Sequence, residues 1–362
     1  MHDTHHISTR TPALCHSRKR RPHPVLPLLL LTALGWAAAV SCTKDVPEGK
    51  DGIIVFSSTA GTKALVNNPE DMSDIAVWGY NYETGGAGGT SPVFTAVRVY
   101  RDPLSGEWNY DDTRYWVPGL QYDFLALHPF DAAATELYGA TLDEVNAPRH
   151  LALTKYDITA EDGYGKPVDL MIAVDRNLSY NPDDPAGRGP VNLDFKHLLA
   201  QVKFVAVKDP AMNGISGFEP VVHSAALTGL PKYADFSSEK FDPSSTASII
   251  DCWNLNKEEH YVVKTNQSIT AENNGVSIFA QEIMVYPQRI GSTITFSVTY
   301  STDGNEENAK TQAVSLNTLS MFWEAGRHYT YTFTITNSDY ILFSPPTVTP
   351  WDDASGGIIV VE

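Results

Sequence analysis

Two stretches of this chain alternate residue by residue between apolar and polar side chains, and that period constrains the fold more than any other feature. In residues 292–301, Ile294, Phe296, Val298 and Tyr300 fall on one side, with Thr293, Thr295, Ser297 and Thr299 on the other. Residues 329–336 repeat the arrangement, with Tyr329, Tyr331, Phe333 and Ile335 set against threonines. Successive side chains of a strand point to opposite faces, so both stretches predict half-buried, antiparallel strands. Shorter strands are predicted at 53–58, 74–82, 93–100, 122–127, 170–174, 191–195, 201–207, 221–227, 261–263 and 282–286. Clusters of Gly, Pro, Asn and Asp, such as 85–92 and 181–190, separate them. No segment carries a sustained helical stripe; residues 131–146, the least strand-like stretch, are expected to hold at most a short helix. Many short strands joined by turns predict an all-β chain of β-sandwiches, mostly antiparallel. At 362 residues the chain is too long for one compact domain. The expected division is an N-terminal sandwich over 53–210 and a C-terminal one over 211–350, meeting in the Pro-, Gly- and Asn-containing segment 208–218.

The first 42 residues have another character. A basic cluster, Arg18-Lys19-Arg20-Arg21, precedes the apolar run 25–40, VLPLLLLTALGWAAAV. That run is shorter than the ~20 residues a membrane-crossing helix needs, and it suits the core of an export signal. It leads through Ala39-Val40-Ser41 to Cys42 and then polar Thr43-Lys44-Asp45. This is similar to a bacterial lipobox, with Ala39 where leucine is usual, and it marks Cys42 as the lipidated N-terminus of the mature chain. An ordinary secretory signal that ends near a cysteine is the alternative. Residues 43–52 read as a polar tether and 351–362 as a separate tail. Three cysteines cannot build a disulfide framework; with Cys15 removed and Cys42 lipidated, Cys252 has no partner.

Formal net charge is −17 for the whole chain. Residues 1–42 contain five basic residues and one acidic residue, so the mature chain has 21 basic against 42 acidic residues, a net of −21. Such a surface argues against nucleic acid as a partner. The sequence holds no nucleophile elbow, no HExxH, no paired CxxC and no phosphate-cradling glycine loop. Acid pairs such as Asp111-Asp112, Asp183-Asp184 and Asp352-Asp353 read as turn formers rather than glycosidase carboxylates. Asp303-Gly304-Asn305 lacks the glutamate that completes a calcium loop and reads as a turn. His197 shares no metal-ligand spacing with another histidine and is expected to close a strand end. Trp78, Trp108, Trp116, Trp323 and Trp351 suit packing, with a sugar-binding platform as the alternative. The expectation is therefore a non-enzymatic chain without metal or cofactor.

Three segments, taken in order, carry a family resemblance. Residues 108–129 read WNYDDTRYWVPGLQYDFLALHP; residues 169–174, DLMIAV, are followed by 191–204, VNLDFKHLLAQVKF; residues 323–333, WEAGRHYTYTF, are followed by 341–343, ILF, and 350–352, PWD. With the lipobox and Thr62-Lys63-Ala64, the chain resembles the fimbrillin family of Bacteroidetes lipoproteins, subunits of the protease-matured type V pilus. The resemblance implies two transthyretin-like β-sandwiches and assembly by strand exchange. In that scheme an N-terminal strand completes the precursor's sheet, a protease removes it, and a C-terminal strand from another subunit replaces it. The displaced strand would be Ile53, Ile54, Val55 and Phe56, and the donor strand Ile358, Ile359, Val360 and Val361, with a tail folded back onto its own domain as the alternative. The family's best-known maturation cuts after arginine, but the first arginine after Cys42 is Arg98, inside an expected strand. Either Lys63 is the cleavage site, for a protease that accepts lysine, or the subunit stays lipidated as the pilus anchor; cleavage at Lys63 is the expectation. The partners implied are other pilus subunits, a maturation protease and, through the lipid on Cys42, the outer membrane. The localisation implied is the outer-membrane surface and the fimbrium, with a role in adhesion. A surface glycan-binding lipoprotein is the competing reading.

Overall fold

The computed structural model describes residues 52–60, 72–84, 90–130, 141–142, 149–159, 168–183, 190–337 and 340–351. The fold is all-β, with three sheets of five to seven strands, one of four and one of two.

The largest sheet has seven strands in the order Phe56–Ala60, Val191–His197, Met171–Ser179, Leu120–His128, Asp74–Glu83, Ser91–Arg101 and Trp108–Tyr110. Its middle strands read as nearly continuous apolar runs because both faces are covered. Ile75, Val77, Phe124, Ala126, Met171 and Ala173 point into one core with Phe94 and Val99. Their neighbours Ala76, Trp78, Leu125, Leu127 and Ile172 point into another. Across the sheet, buried Asp123 accepts hydrogen bonds from Tyr80 Oη (3.1 Å), Tyr82 Oη (2.9 Å) and Asn177 N (2.8 Å), and pairs with Arg176 Nη1 (2.9 Å). Burial, with the carboxylate beside it, pushes the Tyr80 hydroxyl up to about 12. This satisfied ionic knot cross-ties three strands where a bare charge would be costly.

The second core is closed by a four-stranded sheet of Trp253–Leu255, Tyr233–Ser237, Leu151–Asp157 and Thr141–Leu142. Two of these strands lie before residue 210 and two after it. The C-terminal sandwich likewise borrows the strand Ala200–Lys208, which pairs in parallel with Arg327–Ile335 over eight residues. The expected division at 210 therefore needs correction: the main sheets change at Leu198-Leu199, both fully buried, and the 211–350 region contributes strands to the N-terminal core. Segment 208–218 is a connection as expected, with a 3-10 turn at Pro210–Met212 and left-handed Gly214 and Gly217, but it links two strands of the C-terminal sandwich.

That sandwich faces Ala200–Lys208 and Arg327–Ile335 against Val221–Pro231 and Thr295–Ser301. Phe204 stacks on Phe296 (centroids 4.0 Å, 11°) and on Tyr331 (5.2 Å), whose hydroxyl accepts from buried Trp323 Nε1 at 3.0 Å. The expected alternation holds, with Ile294, Phe296, Val298 and Tyr300 buried and so are Tyr329, Tyr331, Phe333 and Ile335. The second of these strands differs in pairing: it is antiparallel to Ile341–Phe343 and Thr347–Pro350 but parallel to Ala200–Lys208. Asp303 makes the expected turn, its carboxylate accepting from Asn305 N (3.0 Å) and Asn308 Nδ2 (2.6 Å). Of residues 131–146, only Thr141–Leu142 falls within the described residues, as a strand.

Gly229 interrupts the Val221–Pro231 strand at a bulge, with φ +79°, and a Cβ there would lie 2.3 Å from the Thr293 carbonyl oxygen. Left-handed Gly214 has φ +78° and open space around it. Gly229→Ala should therefore lower stability to urea by more than about 1 kcal/mol, and by more than Gly214→Ala, which carries backbone strain alone.

Candidate assembly strand and its groove

Residues 52–60 bridge the 114–116 segment and the Val191–His197 strand, and their second half is an edge strand of the seven-stranded sheet. Gly52 enters with φ +78°, and a Cβ there would sit 3.5 Å from Tyr180 Oη. Its carbonyl accepts from Trp116 N (2.7 Å), and Ile54 N donates to Arg114 O (2.9 Å). Tyr110 Oη donates to Ile54 O (2.7 Å), and Ile53 bridges Tyr115 in antiparallel fashion. The chain then crosses: Val55 O accepts from Val191 N (2.8 Å), and Phe56–Ala60 runs parallel to residues 191–195. The expected strand at 53–58 thus lies later, at Phe56–Ala60, because residues 52–54 spend their hydrogen bonds on the 114–116 segment.

Alternation within this segment decides what is buried. Ile54 is fully enclosed and Phe56 is 6% exposed, whereas Ile53 and Val55 are half-buried. The Phe56 ring meets Phe94, Tyr110 and Phe124 edge-on, with centroids at 5.4, 5.8 and 5.7 Å. The four residues expected as a displaced strand therefore supply two anchors and two outward residues.

The groove wall is tied to the rest of the sheet without help from the segment. Arg114 lies over the Phe94 ring at 4.7 Å, and its guanidinium donates to the carbonyls of Val93 (2.7 Å), Asp111 (2.9 Å) and Asp112 (2.8 Å). Trp116 packs edge-on against Tyr122 (4.6 Å) and flat against Tyr180 (6.2 Å), while Val117 N donates to Tyr122 Oη. In the sequence Trp108 and Trp116 suit packing, and Tyr110 and Pro118-Gly119 belong to the same 108–129 motif. Their clustering in one short stretch was the available signal that they form one wall.

At the other end, Thr347–Pro350 pairs with residues 327–330, and Trp351 N donates to Gly326 O (2.8 Å). The buried Trp351 ring stacks flat on His197 (4.4 Å, 11°) and meets His328 edge-on (5.3 Å). His197 closes its strand as expected, and its Nδ1 lies 2.9 Å from Asp169 Oδ1. Nearby, His128 Nδ1 lies 3.0 Å from the Asp74 carbonyl oxygen, and His328 Nδ1 lies 3.5 Å from Glu282 Oε2. Burial holds the imidazoles of His128 and His328 below their ordinary range.

Cys42, Lys63 and the tail residues Ile358, Ile359, Val360 and Val361 lie outside the described residues. Arg98 sits in the Ser91–Arg101 strand with Nη2 2.6 Å from Asp74 Oδ2, so a cut there would sever a ladder strand. The tryptophan platform does not form: Trp78, Trp323 and Trp351 are buried, and Trp108 and Trp116 pack against the first core. Among the described residues, no three His, Cys, Asp or Glu side chains gather as metal ligands.

A fimbrillin-like family model matches residues 62–351. In fold the chain is similar to a fimbrial protein from Bacteroides vulgatus, at 15% identity and TM-score 0.57 over 83% of this chain and 99% of that one. It is also matched, at 12% identity and TM-score 0.42, by a C-terminally truncated tip fimbrial protein from Porphyromonas gingivalis, over 83% of this chain and 100% of that one. No curated protein matches the sequence.

Phe56→Ala should cost about 3–5 kcal/mol of stability, read from the urea midpoint, because it empties a pocket walled by three rings. His128 and His328 give a pH dependence. A folded pKa below the unfolded one means that unfolding takes up protons, so their contribution is complete above about pH 6.5 and is lost as pH falls below it. The urea midpoint should fall between about pH 7 and about pH 5, and His128→Asn should flatten that slope.

Proposed function

The chain belongs to the fimbrillin-like family, and on that footing we propose that it is a structural pilus subunit of the cell surface, exported as a lipoprotein and assembled by strand exchange. The observation that carries this reading is the pairing of residues 52–60. One short segment hydrogen-bonds to the Arg114–Trp116 backbone on one side and to Val191 on the other, and it inserts Ile54 and Phe56 into a groove whose walls are held by other contacts. Such a segment is replaceable by any strand that supplies the same main-chain partners and alternate apolar side chains.

Lipidation at Cys42 would hold the precursor at the outer membrane, since acyl chains anchor by burying CH₂ groups at ~0.8 kcal/mol each. Cleavage at Lys63, just beyond the Phe56–Ala60 strand, would detach that strand from the folded body. Until then the capped edge protects against uncontrolled pairing. The tail 352–362, with its apolar Ile358, Ile359, Val360 and Val361 behind Gly356-Gly357, is the donor. The role is architectural, in adhesion through the assembled fibre, and calls for neither catalysis nor a cofactor.

A trypsin-like protease acting on the purified mature chain should remove residues through Lys63 and yield SDS-resistant ladders. Lys63→Ala should leave the chain monomeric. Deletion of residues 358–362 should abolish the ladders without lowering the urea midpoint of the uncleaved chain; persistence of the ladders would overturn the donor assignment.

A further inference from the structure

Residues 52–55 read Gly-Ile-Ile-Val, and residues 357–360 also read Gly-Ile-Ile-Val, each run followed by one more apolar residue, Phe56 and Val361. Resting on the strand-exchange reading above, we infer that the tail is a register-matched copy of this chain's own capping strand, and that the groove it fills belongs to a second copy of this chain.

The register follows from the groove. Position 52 is left-handed, at φ +78°, and faces Tyr180 Oη, so it favours a residue without a Cβ. Gly357 supplies one there. Ile359 then takes the enclosed place of Ile54, and Val361 takes that of Phe56. Gly357 O accepts from Trp116 N, Ile359 N donates to Arg114 O, Ile359 O accepts from Tyr110 Oη, and Val360 O accepts from Val191 N, as their counterparts do. A slip of one residue would turn Ile358 and Val360 inward, moving every side chain to the opposite face.

The partner follows from reach. The chain enters the tail at Trp351, stacked on His197, and His197 pairs with Met171 at one end of the Met171–Ser179 strand. Gly52 packs against Tyr180, just past the other end of that strand, about 30 Å of strand away. The six residues from Trp351 to Gly357 span at most about 22 Å fully extended. The tail therefore falls short of its own groove and fills that of another molecule.

Within the five matched positions, 52–56 and 357–361, the copy is imperfect at one place. Valine under Phe94, Tyr110 and Phe124 fills less than the Phe56 ring does, so the tethered strand outcompetes the tail until it is cut away.

The test uses the full chain cleaved at Lys63 and oxidised. Tyr115, exposed and bridged to Ile53, becomes opposite Ile358 in the exchanged register. The double variant Tyr115→Cys with Ile358→Cys should give intermolecular disulfides, lost in the shifted pair Tyr115→Cys with Ile359→Cys and in each single variant. Val361→Phe should raise the temperature at which the ladders dissociate. A disulfide closed within one chain would overturn the second-copy assignment. Ladders that cross-link only in the shifted pair would overturn the register while leaving strand exchange intact. Absence of ladders from every cleaved variant would overturn strand exchange and the inference together.

Discussion

A strand at a sheet edge has main-chain groups on one side with nothing to bond, and in the N-terminal module the Val191–His197 strand and the 114–116 segment meet that condition at one place. The 114–116 backbone and the start of the Val191–His197 strand offer donors and acceptors to a common gap, and residues 52–56 satisfy both. The enclosure of Ile54, the seating of the Phe56 ring among its aromatic walls and the tyrosine hydroxyl on Ile54 O all depend on that crossing. Buried backbone polar groups are costly when unpaired. The module therefore keeps its first core closed while residues 52–56 occupy this gap.

What the sequence disclosed depended on whether the determining contact was local. Alternation over 292–301 and 329–336 announced two strands and their buried faces, because a strand's pleat is a property of the strand itself. The parallel pairing of Gln201 with His328 is invisible to such a pattern, since parallel and antiparallel neighbours bury the same face. The misplaced boundary has the same origin. Residues 208–218 carry every local mark of a linker, and only long-range pairing shows that the strand before it belongs with the strands after it. The strands Leu151–Asp157 and Tyr233–Ser237 were missed because they pair with each other across the two halves of the chain.

The site was legible to a similar depth. Residues 53–56 stood out as a short apolar run, but their division of labour did not. Hydrogen bonds to Arg114 and Trp116 hold the first half, so the ladder begins only at Phe56. The aromatic motifs between 108 and 122 were visible as motifs, yet their joint role as a wall required the fold. His197 was read as closing a strand; its stacking on Trp351, distant in sequence, could not be read locally.

The parallel pair formed by Ala200–Lys208 and Arg327–Ile335 joins segments more than a hundred residues apart, and such pairings form slowly because a long loop must close before contacts reward it. The C-terminal core therefore completes only when nearly all of the chain is present. A molecule interrupted before residue 327 has an unfinished sandwich and, in the same stroke, no Trp351 seat and no tail. Topology thus ties the closing of the last sheet to the residues beyond it: a chain too short to complete the C-terminal sandwich also lacks Trp351 and everything after it.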